Sequence, residues 1–491
     1  MLDDKVQPPK SHFVDGKYLE SKNRDGVFYS IYPATLEKIA TLYYADDEVI
    51  TTAIKAAKRG FAIWQNTPPK ERGKILLRAA ELIRRDNAEL ARIETLDTGK
   101  AISETIVADA LSGADCLDYF GGIIQGVTSD YIPLGDNFIY TRREPLGICL
   151  GLGAWNYPMQ IACWKSAPCL ACGNVMIYKP ASVTPLTALK LAEIYKEAGL
   201  PDGVFQVLQG NGKIADKLVR HDDIAKVSLT GSVATGKKVM AAAAETLKKT
   251  TLELGGKSPM IVFNTADIDA AVSGAILGNF YSSGQICSNG TRVFVERGIY
   301  EKFLAILKQR TEKIILGDLL DAKTHLGPVV SEHQYESILQ YITAGIKGGA
   351  KLLIGGKAVM VNNFPKGLFI APTVFYDCKD DMAICVEEIF GPVMSVLLFD
   401  SEAEVIARAN HSMMGLSGGI FTSDLQQAHR VAAKLESGTI WINNFNITPI
   451  EMPIGGYKES GLGRENAMAV LESYTQIKSV YVEMGKATAP Y

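Results

Sequence analysis

From Gly147 to Leu254 short apolar runs alternate with helical segments: strands over 147–153, 174–178, 204–208 and 226–230, and helices near 160–172, 186–198, 212–220 and 235–247. Strand and helix alternating at this spacing imply a doubly wound parallel sheet, which binds ligands at the carboxyl ends of its strands. A second series follows, with strands near 259–263, 291–295, 393–399, 417–421 and 438–442 and helices between several of them. A chain of 491 residues is long enough to bury two such cores. The fold class is therefore α/β with two domains, and the composition shift at Gly255-Gly256 marks the best boundary.

The flanks differ. Residues 12–50 hold short strand-like pieces (His12 to Val14, Phe28 to Tyr32, Lys38 to Tyr43), and Ala45 to about Leu117 is helical by periodicity, with Pro68-Pro69 ending one helix and starting the next. Residues 138–147 read as an extended arm. Lys plus Arg number 51 against 54 Asp plus Glu, a formal charge of −3. No basic stretch interleaved with aromatics offers a nucleic-acid surface. No apolar span is long enough for a bilayer, so no membrane partner is expected. Met1-Leu2-Asp3-Asp4-Lys5 has the character of neither a secretory signal nor a transit peptide, and a cytoplasmic location is expected. The 8 cysteines are scattered, which argues against a disulfide framework. Cys169-Leu-Ala-Cys172 lies in an apolar helical stretch with no second pair or His cluster, so it reads as packing, and no metal is expected.

One thiol stands apart from the rest. Cys287 sits in Asn279-Phe-Tyr-Ser-Ser-Gly-Gln-Ile-Cys-Ser-Asn-Gly290, small, polar and glycine-rich, which suits an exposed nucleophile better than a packing thiol. Strand 226–230 runs into Gly231-Ser232-Val233-Ala234-Thr235-Gly236 and a helix. Backbone N–H groups and a helix N-terminus there suit an anion, though the same spacing makes a glycine-capped turn. Lys179 ends a strand of the same sheet, where a solvated surface lysine is the alternative. Asn156 follows strand 147–153 and either donates to a developing oxyanion or caps the helix that begins after Pro158. Glu253, between apolar neighbours and two glycines, is a desolvated general base or a solvated strand-end carboxylate.

Asn156, Lys179, Gly231, Gly236, Glu253, Cys287 and Glu387-Glu388-Ile389-Phe390-Gly391-Pro392 occur in an order that resembles the NAD(P)-dependent aldehyde dehydrogenase superfamily, over essentially the whole chain. The most specific stretches are Leu252-Glu-Leu-Gly-Gly-Lys-Ser-Pro259 and Phe280-Tyr-Ser-Ser-Gly-Gln-Ile-Cys-Ser-Asn-Gly290. The resemblance implies a Rossmann-like cofactor domain (1–127 and 148–255), an α/β catalytic domain (256–466) and a β-strand oligomerisation arm (128–147 and 467–491), hence a homodimer or homotetramer. It implies that Cys287 attacks the aldehyde as a thiolate, that the Asn156 side chain and the Cys287 N–H hold the oxyanion, and that Glu253 activates the water that hydrolyses the thioester. Lys165 and Glu465 match accessory proton-relay positions. The resemblance also places Trp155 and Lys179 near the adenosine ribose, Gly231, Ser232 and Gly236 near the pyrophosphate, and Glu388 and Phe390 at the nicotinamide end.

Many members carry Ser-Glu after the Lys-Pro pair, and that Glu can bind the ribose hydroxyls; this chain has Ala181-Ser182. Ser182 adds no charge to repel a 2'-phosphate, so NADP is expected beside NAD. Tyr157, Trp164, Tyr281 and Phe445 match positions around the substrate tunnel, and aromatic faces with the carboxylate of Glu451 would recognise a quaternary ammonium that cannot donate a hydrogen bond. Leu96-Asp-Thr-Gly-Lys-Ala-Ile-Ser-Glu104, Gly153-Ala-Trp-Asn-Tyr-Pro158, Glu451-Met-Pro-Ile-Gly-Gly-Tyr-Lys458 and Gly463-Arg-Glu-Asn466 are similar to the betaine-aldehyde branch of the family. Plant-type members have Trp where this chain has Ile454, which leaves 4-trimethylaminobutyraldehyde or another aminoaldehyde as an alternative substrate. A CoA-acylating relative would need no water-activating Glu253. A cysteine hydrolase would want a His partner, and none has a local motif. A non-catalytic binding protein on the same scaffold would have lost the thiol or the base.

Overall fold

The computed structural model describes residues 6–24 and 26–491, so Met1 to Lys5, with their expected lack of a signal, lie outside the described residues. The first sheet runs, edge to edge, Lys17–Leu19, His12–Val14, Phe205–Val207, Val175–Lys179, Ile148–Leu152, Ile224–Thr230, Lys249–Glu253, Gly461–Leu462. The strands from Phe205–Val207 to Lys249–Glu253 are parallel, and the flanking ones antiparallel. Ile148–Leu152 and Val175–Lys179 are buried at every position, as parallel strands covered on both faces must be. Every strand and helix expected between Gly147 and Leu254 is present. The last helix begins at Val233, earlier than expected, because Ser232 caps it by accepting from the Thr235 N–H.

Strand order reverses between Ile148–Leu152 and Ile224–Thr230. The loops after these strands therefore diverge and leave a crevice at the carboxyl edge. Those loops carry Trp155-Asn156 and Gly231-Ser232.

The second sheet runs Lys351–Ile354, Thr373–Tyr376, Val393–Phe399, Arg292–Glu296, Pro259–Val262, Ser417–Phe421, Thr439–Ile442. All neighbours are parallel except Lys351–Ile354. Its first two strands were not expected from sequence: Lys351–Ile354 is an edge strand with no buried residue, and Thr373–Tyr376 is only 4 residues long. The arm is a third sheet in which Asn137–Pro145 pairs with both Tyr131–Leu134 and Thr475–Val482.

Gly461–Leu462, inside the span 256–466, returns to the first sheet and pairs with Leu252 and Glu253. Covering that strand's open edge, it brings Arg464 and Glu465 beside Glu253. Among the described residues, no helix is long and apolar enough to cross a membrane, and no cluster of three or more His, Cys, Asp or Glu could hold a metal ion.

Candidate active site

A cavity of about 1210 Å³ is lined by loops of both sheets and contains Asn156, Glu253, Cys287, Glu388 and Glu465. Cys287 is the one cysteine that is not fully buried. The helix Ile268–Phe280 stops just before Ser282, Ser283 and Gly284, which take φ of 52°, 56° and 72°. Three left-handed residues in succession turn the chain sharply toward the cavity. Gln285 pins the turn: its Nε2 donates to the Ser282 carbonyl at 3.2 Å, and its Oε1 accepts from the Val330 N–H at 3.0 Å. Gly256 lets the thiol loop close in, since a Cβ there would lie 2.6 Å from the Cys287 carbonyl oxygen. Burial, with Glu388 and Glu253 nearby, pushes the thiol up to about 12, so the resting sulfur is protonated.

Glu253 ends its strand and is 8% exposed, with no hydrogen-bond partner for Oε1. Burial first and the Glu465 charge second hold its carboxyl well above the usual range, against Lys165 and Arg464. The solvated strand-end alternative is thereby excluded. Lys165 and Glu465 form a buried ion pair at 2.9 Å, bridged by Ser228, whose hydroxyl accepts from Lys165 Nζ at 3.0 Å and donates to Glu465 Oε1 at 2.9 Å. Asn156 does not cap the helix Pro158–Ala171; its Nδ2 donates to the Gln285 carbonyl at 2.9 Å, reaching into the thiol loop.

At the crevice, Gly231 and Ser232 line the cavity. The Gly231 N–H is already spent on the Glu253 carbonyl at 3.0 Å. What remains for an anion is the N-terminus of Val233–Ala244. Gly236 departs from expectation: it is buried, does not line the cavity, and a Cβ there would lie 2.6 Å from a Leu254 methyl, so it serves helix packing. Lys179 is buried, its ammonium donating to the Pro180 and Gly210 carbonyls at 2.7 Å each, and burial lowers it to about 8. Ser182 is half-buried on the following turn, outside the cavity lining. Trp155 and Phe390 meet edge to face with centroids 5.0 Å apart. Glu388 accepts from the Gly256 N–H at 3.1 Å and is raised by burial to about 7. These groups fit a dinucleotide: a helix N-terminus, an aromatic pair and a carboxylate face one cavity at the sheet's switch point.

Of the expected substrate residues, Tyr157, Trp164 and Tyr281 line the cavity. Phe445 does not. It is 0% exposed, and its ring fills the space that side chains would need at Gly278, Gly290 and Gly419, with the nearest contact 2.5 Å from a Cβ at Gly419. The lining is built instead by Trp441 and Asn446 to Pro449. Trp441 lies inside an expected buried strand, where nothing in the sequence separates a lining aromatic from a core one. Glu451 is exposed and borders a second cavity of about 470 Å³ that shares Ser112, Asp115, Thr448 and Pro449 with the first.

The model of the aldehyde dehydrogenase family matches residues 18–480. The chain is 58% identical over 488 residues to a betaine aldehyde dehydrogenase of Sinorhizobium fredii, covering 99% of this chain and 100% of that one. A betaine aldehyde dehydrogenase from Staphylococcus aureus solved with NAD+ superposes with a TM-score of 0.95 at 37% identity, over 98% of this chain and 96% of that one. An NAD+ complex of an aldehyde dehydrogenase from Bacillus cereus gives 0.94 at 40% identity, over 97% of each chain. With a thiol, an amide donor and a desolvated carboxyl facing one cavity between two α/β sheets, and with a family match across nearly its whole length, the chain belongs to the aldehyde dehydrogenase family.

Proposed function

We propose that this enzyme oxidises a trimethylammonium aldehyde, betaine aldehyde foremost, to its carboxylic acid. The observation that carries the reaction is the meeting of Cys287, Asn156 and a Glu253 with a free, buried oxygen in one cavity. Cys287 gives up its proton to solvent water in the cavity and its sulfur adds to the aldehyde carbon, opening the C=O to an oxyanion held by Asn156 Nδ2 and the Cys287 N–H; losing one such donor costs about 10²–10³ in rate. Bound NAD supplies the hydride acceptor that carries this adduct to the thioester. Glu253 then takes a proton from the attacking water, and the acid leaves. The buried Lys165–Ser228–Glu465 chain passes protons beside Glu253. Glu388, Phe390, Trp155, Lys179 and the Ser232 end of its helix bind the cofactor. With Ser182 in place of a carboxylate, NADP is accepted as well, and a preference for NAD beyond about a thousandfold in kcat/KM, roughly 4 kcal/mol, would defeat this.

Tyr157, Trp164, Tyr281 and Trp441 offer aromatic faces, each worth about 0.5–2 kcal/mol to a quaternary ammonium. Glu451 borders the neighbouring cavity and is not part of this lining. The relatives named for betaine aldehyde support the same choice. Comparing kcat/KM for betaine aldehyde, 4-trimethylaminobutyraldehyde and propanal tests it; betaine aldehyde should lead, and a preference for propanal would sink the cationic substrate. The exposed arm residues Tyr131, Ile132, Ile477 and Tyr481 support assembly as a dimer or tetramer. Light scattering at micromolar concentration reads it out, a monomer being the contrary result.

A further inference from the structure

Glu104 lies on the short helix Ile102–Thr105, far in sequence from the thiol, and is buried. Both of its oxygens accept from the backbone N–H of Ser282, at 3.0 and 3.1 Å, and the Ser282 hydroxyl donates to Oε2 at 3.2 Å. Ser282 Oγ also lies 2.7 Å from the Tyr157 hydroxyl on the cavity wall. Against that wall, the Lys100 ammonium sits 4.0 Å from the Tyr157 ring centroid and is ion-paired with buried Asp109. Ser282 is the first of the three left-handed residues before the thiol. A residue with a Cβ stays in that conformation only where its surroundings hold it there.

We propose that Glu104 is a positioning residue for Cys287: its carboxylate clamps Ser282 in the left-handed turn, so that the Gln285 carbonyl meets Asn156 and the sulfur enters the cavity, and it ties that turn to Tyr157. The inference rests on Cys287 being the nucleophile. The carboxylate places both oxygens on the Ser282 N–H and one of them on the Ser282 hydroxyl as well. An amide at 104 would put a donor in place of one of these oxygens. Glycine at 282 would take up the same backbone without a clamp.

The test compares full-length wild type, Glu104→Gln, Ser282→Gly and the double variant for three quantities: the NAD dissociation constant, the alkylation rate of Cys287 by iodoacetamide read by peptide mass spectrometry, and kcat; Cys287→Ala is measured for kcat alone. Burial raises Glu104 to about 7, so at about pH 8.5, where it is ionised, losing a charge-assisted clamp should lower alkylation and kcat about tenfold or more in Glu104→Gln while NAD affinity stays within about twofold. Adding Ser282→Gly should restore much of the alkylation rate, a rescue that general destabilisation would not show. The proposal is overturned if Glu104→Gln reacts and turns over within about twofold of wild type, if NAD binding falls in step with alkylation, or if glycine rescues nothing. Should Glu104→Gln fail to fold, the double variant decides: folded and reactive upholds the clamp, unfolded or unreactive refutes it. An active Cys287→Ala would instead remove the nucleophile reading itself.

Discussion

Replacing Glu253 by Gln keeps the shape of the side chain and removes the only form of it that can take a proton. The carboxyl is desolvated, its Oε1 has no partner, and the Glu465 charge adds to the cost of ionising it, so its pKa stands well above the ordinary 4.5. Two consequences with opposite signs follow. Loss of a positioned general base should slow hydrolysis of the thioester by about 10²–10⁴, or roughly 3–5 kcal/mol of barrier. Because the thiol and the hydride step are intact, rapid mixing should still give a burst of NADH close to one per active site, followed by almost no turnover. In wild type, kcat should rise with pH as Glu253 ionises, and in the variant this limb should flatten. Stability runs the other way. The native state holds its proton on Glu253 at pH values where the unfolded chain has lost it, so stability contributed at low pH is lost as pH rises from about 4.5 toward the native pKa. The Gln variant lacks that loss, and its Tm advantage should grow as pH rises above the ordinary 4.5. A variant within about fivefold of wild-type kcat would refute the base assignment, and loss of the burst itself would move Glu253 to the step that deprotonates Cys287.

Asn156→Ala should lower kcat by about 10²–10³ and leave NAD affinity unchanged, measured by steady-state kinetics and fluorescence titration. Phe445→Ala should cost about 3–5 kcal/mol in denaturant unfolding without a selective rise in KM for cationic aldehydes, because the ring fills a core site and not the tunnel. Ser182→Glu should reduce kcat/KM for NADP by about tenfold or more through repulsion of the 2'-phosphate while NAD is little affected, and equal loss with both cofactors would show that residue 182 does not face the ribose.

The two sheets were legible because their central strands are buried on both faces and read as unbroken apolar runs between helices of regular period. Lys351–Ile354 lacks that signature because it lies at an edge with no buried residue. The desolvation of Glu253 could be expected from its neighbours, but its approach to Glu465 depends on a strand returning from 461–462, a contact across more than 200 residues that no local pattern carries. In the sequence Glu104 is marked only as the last residue of the stretch that begins at Leu96. Its bond to Ser282 spans 178 positions, and nothing in the sequence marks Ser282 as left-handed, since serine has no preference for that region to reveal it.

Phe445 shows most clearly where pattern fails. Trp441 faces the cavity from a strand, and alternation with period two would carry the same facing to 443 and 445. The strand Thr439–Ile442 ends there, and Asn443 and Asn446 adopt φ of 55° and 58°. Each left-handed residue re-aims the chain, and asparagine tolerates that conformation better than most side chains. Between the two, Phe445 swings into the core with its centroid 5.0 Å from that of Trp441. After the second, Ile447, Thr448 and Pro449 come to the cavity. The two asparagines were the available signal that parity would be lost, and the residues that line the cavity come a few positions beyond the aromatic that the resemblance favoured.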